Sequence, residues 1–222
     1  MSEEIKNKIQ KIVNVFESGS PEGDYGCISL YEDGPNGIKQ ITYGKSQTTE
    51  WGNLNALVNL YIKNEGSIAE KFEPYKDKIG VRSLVTDKNL IAILKEASKD
   101  PIMQRTQDQF FDIHYWEPAK AWFTKNGFKL NLSMLVIYDS FIHSGSILKF
   151  LRNRFSETVP ASGGDEKEWI KAYVKTRHEW LKKHSNSILT KTIYRTQNFL
   201  TAIDQDNWDL SKTFLANGTK IA

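Results

Sequence analysis

Two carboxylates near the N-terminus, Glu17 and Asp33, occupy contrasting stretches of sequence. Glu17 follows Phe16 at the end of a run in which Ile5, Ile9, Ile12, Val13 and Phe16 recur at helical spacing. An apolar helix face of that kind disfavours the charged form of a carboxyl group. Asp33 lies beside Gly34 in a polar turn cluster, where a carboxylate stays solvated. Carboxyl groups in such different settings can divide acid and base work between them. One protonates a leaving oxygen, and the other activates water or attacks a sugar carbon, which is the chemistry of glycoside hydrolysis. The chain has 27 acidic residues, so spacing alone does not single out this pair. The elements that carry the two groups have to do so.

The helix that delivers Glu17 is stopped by Ser18-Gly19-Ser20-Pro21, since Gly accepts the left-handed cap conformation and Pro cannot continue a helix. Residues 27–31 and 38–43 flank the turn cluster at 32–37, which predicts a β-hairpin with a long loop carrying Asp33. Helical patterns follow. Leu54, Leu57, Val58, Tyr61 and Ile62 mark one helix, and Leu90, Ile91 and Leu94 mark another behind a Thr86-Asp87 cap signal. Further helices are expected over 100–111, 118–124, 165–182 and 189–203. The stretch 130–143 is apolar nearly all round and reads as the central buried helix. The expected class is therefore α+β, mainly α, as a single domain over 1–222 with two lobes. A small sheet would line a cleft, with the two carboxylates facing each other across it.

Composition removes several other classes. A net charge of +3 without a clustered basic face gives no case for nucleic acid. No apolar run approaches the ~20 residues that cross a bilayer. Cys27 is the one cysteine, so no intrachain disulfide forms and the fold rests on packing. His114, His143, His178 and His184 show no metal-binding spacing, and no phosphate-binding or nucleophile-elbow motif occurs. No metal or cofactor is expected, and a monomer is. Met1-Ser2-Glu3-Glu4 lacks the basic and apolar regions of a secretory signal, so an exported form would have had its signal removed. Tyr31, Tyr43 and Trp51 around the hairpin are candidates for stacking on sugar rings or, equally, for packing the hairpin against a helix.

Taken in order, Phe16-Glu17-Ser18-Gly19, Tyr25-Gly26, Asp33-Gly34, Ile41-Thr42-Tyr43-Gly44 and Thr48-Thr49 resemble the N-terminal signature of the family 46 chitosanases. The resemblance continues through Gln107-Asp108, Asp112, Tyr115, Pro118-Ala119, Tyr138-Asp139-Ser140, Gly164-Asp165-Glu166 and Trp169. It implies a lysozyme-like fold and an inverting, endo-acting hydrolase of β-1,4-linked amino sugars. Glu17 would be the general acid, Asp33 the general base, and Thr42 the residue that helps hold the attacking water. Asp139, Arg177 and Arg195 fall on family positions that form a buried ionic network bearing on the catalytic Glu.

The sequence departs from the family pattern in three places. The family turn Asp-Gly-Arg-Gly-Tyr-Thr is replaced by the longer Asp33-Gly34-Pro35-Asn36-Gly37-Ile38-Lys39-Gln40-Ile41-Thr42. The Gly-Asp pair whose Asp binds an ammonium group of the substrate reads Gly52-Asn53, and an amide supplies no counter-charge. The segment after Gly145 is shorter and lacks an acidic loop. Chitosan is accordingly the first expectation for the polysaccharide partner. A muramidase acting on peptidoglycan is the alternative, and a non-catalytic glycan-binding module is a second.

Overall fold

Glu3–Ser18 forms helix α1, capped at its start by the Ser2 hydroxyl, which accepts from the Ile5 N–H. Glu3 and Glu4 in the first turn complement the positive end of the helix dipole. Gly19 closes the helix in the left-handed conformation at φ 77°, as the sequence predicts. The computed structural model describes residues 1–45 and 47–222. They fall into two units, one made of Met1–Glu22 with His114–Ala222, the other of Gly23–Ile113.

The Gly23–Ile113 unit begins with strands β1 (Ile28–Tyr31) and β2 (Gln40–Tyr43), the expected hairpin. A short strand, β3 (Thr48–Thr49), extends it to a three-stranded antiparallel sheet of order β1-β2-β3. Ile41 and Tyr43 point from one face of β2 into a core shared with α2 (Leu54–Lys63), α3 (Lys88–Ala97) and α4 (Pro101–Phe111). Strand alternation puts Gln40 and Thr42 on the opposite face. The register pairs them with Tyr31 and Ser29 on β1. Asp87 and Asp100 cap α3 and α4 through their side chains, and Pro101 occupies the first helical turn of α4.

In the other unit, α5 (Glu117–Lys125) leads into α6 (Asn131–Ser144). Leu132 to Ser140 are buried without a break, so α6 is the central helix read from its all-round apolar pattern. A four-residue helix, α7 (Lys149–Arg152), precedes α8 (Glu166–Lys182), which Asp165 caps by accepting from Glu168 N–H. The single helix expected over 189–203 is divided. A short α9 (Ser187–Thr190) passes through a 3₁₀ turn, Lys191–Ile193, into α10 (Tyr194–Asp204). At the break, Thr190 and Thr192 turn their hydroxyls onto the carbonyls of Asn186 and Leu189.

An element with no counterpart in the sequence reading closes this unit. Strands β4 (Phe214–Ala216) and β5 (Thr219–Ile221) form a hairpin around Asn217-Gly218, with φ values of 43° and 89°. Asn-Gly between short apolar runs is a strong two-residue hairpin signal, and it was there to be read. Phe214 packs its ring against Phe16 and Phe199, so the hairpin braces the last turn of α1, where Glu17 sits.

Candidate active site

Glu17 is delivered one residue before the end of α1, and its surroundings differ from the apolar setting expected for it. Arg195, from the first turn of α10, donates through Nη2 to Glu17 Oε1 at 2.6 Å. The same nitrogen approaches the Phe16 carbonyl at 3.3 Å, and the Tyr194 hydroxyl donates to that carbonyl at 2.6 Å. A carbonyl at a helix C-terminus has no partner within the helix, and these side chains supply one. The cation of Arg195 also sits at the negative end of the α1 dipole. The Arg195 side chain is 4% exposed and that of Glu17 is 21% exposed, so one oxygen is held while the group stays reachable.

Behind Arg195 lies the predicted network. Asp139, on α6 and with no exposed surface, accepts from Arg195 Nη1 at 2.7 Å and from Arg177 Nη1 at 2.6 Å. Burial alone would push the Asp139 carboxyl up, but the Arg177 and Arg195 guanidiniums outweigh it and hold the group below the usual carboxylate range. Burial likewise opposes the charge of Arg195, and Asp139 and Glu17 raise it above its ordinary value. The result is a fixed chain of alternating charge, Arg177–Asp139–Arg195–Glu17. Ser140 extends it, with its hydroxyl approached by Arg177 Nη1 and by the Tyr173 hydroxyl. His143, one turn after Asp139, is depressed to about 4 by burial first and by Arg177 second, so it is neutral around pH 7.

The other carboxylate belongs to the Gly23–Ile113 unit. Asp33 is exposed at the start of the long hairpin loop, and its Oδ1 accepts from Gln40 Nε2 at 2.9 Å. The loop turns on Pro35–Gly37, with Asn36 and Gly37 at φ 57° and 75°, and the Gly34 N–H closes it onto the Ile38 carbonyl at 3.0 Å. Thr42, two residues along β2 from Gln40, is 5% exposed. Its hydroxyl meets no hydrogen-bond partner among the described residues. Buried hydroxyls are usually paired, and this one keeps donor and acceptor capacity that no described residue uses.

Residues 11–214 match the profile of Glycosyl hydrolase family 46. The chain belongs to this family. It is a glycoside hydrolase, as the carboxylate pair and the ordered motifs suggested. A chitosanase of Bacillus subtilis (strain 168) is 24% identical over 84% of this chain and 70% of the relative. Two solved structures share the fold at a TM-score of 0.83 and 21% identity. One is the family 46 chitosanase of Gynuella sunshinyii in complex with chitotetraose, covering 99% of this chain and 97% of that one. The other is the native chitosanase of Bacillus subtilis MY002, covering 100% of both.

The remaining predicted positions of this family 46 hydrolase divide. Tyr31 is 57% exposed at the end of β1 and free to stack on a ligand. Tyr43 is not: it has no exposed surface, lies in the core and donates its hydroxyl to the Leu94 carbonyl at 2.9 Å. Strand parity decides this, because Tyr43 shares the inward face of β2 with Ile41. Trp51 is half-buried, and its indole lies so close to Gly34 that a Cβ there would come within 3.2 Å of Trp51 Cδ1. It therefore braces the Asp33 turn. Asn53 is exposed at the start of α2, with its side chain making no capping bond.

Sequence reasoning missed three buried polar residues that hold the sheet in place. Gln40 bridges Asp33 and the Trp51 N–H. Glu50, with no exposed surface, accepts from the backbone N–H groups of Ile41 and Leu84. Gln107 on α4 accepts from the Lys45 N–H at 2.9 Å and donates to the Tyr25 carbonyl at 3.0 Å. Gly44 gives it room, since a Cβ there would overlap the Gln107 amide. The Gln107-Asp108 match to the family was a signal for the last of these. Glu50 carried no such signal, because nothing in its neighbours distinguishes it from a surface acid.

Proposed function

We propose that this family 46 hydrolase cleaves the β-1,4 bonds of chitosan from within the chain, with inversion at the anomeric carbon. Glu17 is the general acid: Arg195 fixes its Oε1, and we assign the transferable proton to Oε2. Asp33 is the general base that takes a proton from water, and Thr42 orients that water through its unpaired hydroxyl. The observation that carries the reading is the alternating charge chain from Arg177 to Glu17, which holds one chosen carboxyl group in a fixed orientation. Preorganised charge of this kind lowers a barrier without reorganisation during the reaction. Tyr31 supplies an exposed ring to a sugar subsite, and Asn53 a polar contact. The substrate assignment is supported by the relatives named as chitosanases, among them a structure complexed with 6 GlcN.

The test is hydrolysis of chitosan followed by NMR of the first-formed anomer. Inversion is expected, and a retained anomer would remove Asp33 from its role as base. Glu17→Gln should lose at least about 10³-fold in kcat while staying folded, and normal turnover would end its assignment. One observation favours a second substrate. Asn53 brings no negative charge to meet a glucosamine ammonium, so a more acetylated amino-sugar polymer, peptidoglycan included, is assayed in parallel. Asn53→Asp should raise the preference for chitosan over the acetylated polymer by severalfold.

A further inference from the structure

We infer that Gln40 is a positioning residue for the catalytic base, a function specific to the lengthened loop of this chain; the inference rests on the assignment of Asp33 proposed above. Asp33 lies near the start of an exposed loop whose tip is held mainly by local turns. Left to itself, a carboxylate there would sample several rotamers. Gln40 prevents this through both ends of its amide. Nε2 donates to Asp33 Oδ1 at 2.9 Å, and Oε1 accepts from the Trp51 backbone N–H at 3.2 Å. The second bond fixes which way the amide faces, since a flipped amide would set two donors against each other at Trp51.

The geometry suits the role. Gln40 is 4% exposed and opens strand β2, where it pairs with Tyr31. It stands on the same face as Thr42, about 7 Å away along the strand at ~3.3 Å per residue. The amide thereby ties the start of the loop to the face that presents the unpaired Thr42 hydroxyl. One oxygen of Asp33 is held, and the other remains for the water. The loop between Asp33 and Gln40 can be long because the amide holds the carboxylate in addition to the turn closed by the Gly34 N–H. Trp51 contributes its indole against Gly34 and its N–H to Gln40, so one residue supports both sides of the loop.

The experiment compares Gln40→Glu, Gln40→Leu and Asp33→Asn, alone and combined, on chitosan, with kcat, KM and melting temperature read for each. Gln40→Glu keeps an acceptor for the Trp51 N–H and loses the donor to Asp33, so its fold should hold even if Gln40→Leu fails to fold. Its kcat should fall at least 10-fold at pH 8 with KM within twofold of wild type. The deficit should shrink severalfold toward pH 5, because burial and the adjacent Asp33 carboxylate push the introduced carboxyl group up, so that it regains a proton it can donate to Asp33. In the Asp33→Asn background the same change should have no further effect on kcat. A native kcat in folded Gln40→Glu overturns the inference, as does a deficit that is flat with pH or persists in the Asp33→Asn background. If Asp33→Asn itself is fully active, the assignment of the base fails, and the inference falls with it. A native kcat in folded Gln40→Glu beside an inactive Asp33→Asn overturns the inference alone and leaves the assignment of the base standing.

Discussion

Asp139→Asn is the sharpest perturbation of this protein, because one carboxylate with no exposed surface joins two guanidiniums. The substitution nearly preserves shape and removes one negative charge. The amide oxygen can still accept from one arginine, but the amide nitrogen is a donor and faces the other. Removing one partner of a buried ion pair costs about 3–5 kcal/mol. Arg195 retains Glu17 as a counter-charge at 2.6 Å, whereas Arg177 has no other ion pair among the described residues. We place the cost at about 4 kcal/mol, which for a chain of this size lowers Tm by roughly 8–16 °C. Calorimetry at pH 7 reads it directly. Glu17→Gln is the matched control: Glu17 is partly exposed and Arg195 keeps Asp139, so about 1 kcal/mol or 2–4 °C is expected. Activity should show the reverse order. Glu17→Gln loses more kcat than Asp139→Asn, which loses about 10–100-fold through misorientation of Arg195 and hence of Glu17. An Asp139→Asn protein melting within 4 °C of wild type, or a larger Tm loss in Glu17→Gln, would refute the account of the network.

Three further outcomes follow from named contacts. His143 titrates near 4 in the folded chain against an ordinary value of 6.5, so the unfolded chain binds more protons between these values and stability falls as pH drops through that window. From pH 6.5 to 5 the loss is about 1 kcal/mol after allowing for partial solvent screening, and a His143→Gln variant should lose that much less in chemical denaturation across the same interval. Gly34→Ala would bring a Cβ to 2.6 Å from the Ile38 carbonyl and 3.2 Å from Trp51 Cδ1. It should shift the Asp33 turn and lower kcat by about 10-fold or more, with a Tm change of only a few degrees; full activity would show that the turn tolerates displacement. Gln107→Leu strands the partly buried Lys45 N–H and Tyr25 carbonyl, at a cost of about 1–2 kcal/mol in urea denaturation.

The sequence by itself determined the local architecture and the catalytic candidates. Periodicity, caps and turn residues act over a few positions, so α1 with its Gly19 stop, the hairpin around Asp33 and the buried α6 were legible without coordinates. Ordered motif matches added Thr42 and the Asp139, Arg177 and Arg195 set. The Asn217-Gly218 hairpin was equally local and was passed over. Side-chain partnership between distant residues was decided only by the tertiary structure. Tyr43 and Trp51 read equally as sugar-stacking or packing aromatics; the structure puts Tyr43 in the core and lays the half-buried Trp51 against Gly34. Glu17 stands after an apolar helix face in sequence, yet its carboxylate meets a guanidinium 178 residues away. Gln40 shows the difference most plainly. Its type suggests only a polar strand residue, and its function exists because folding brings Asp33 and the Trp51 N–H to opposite ends of one amide.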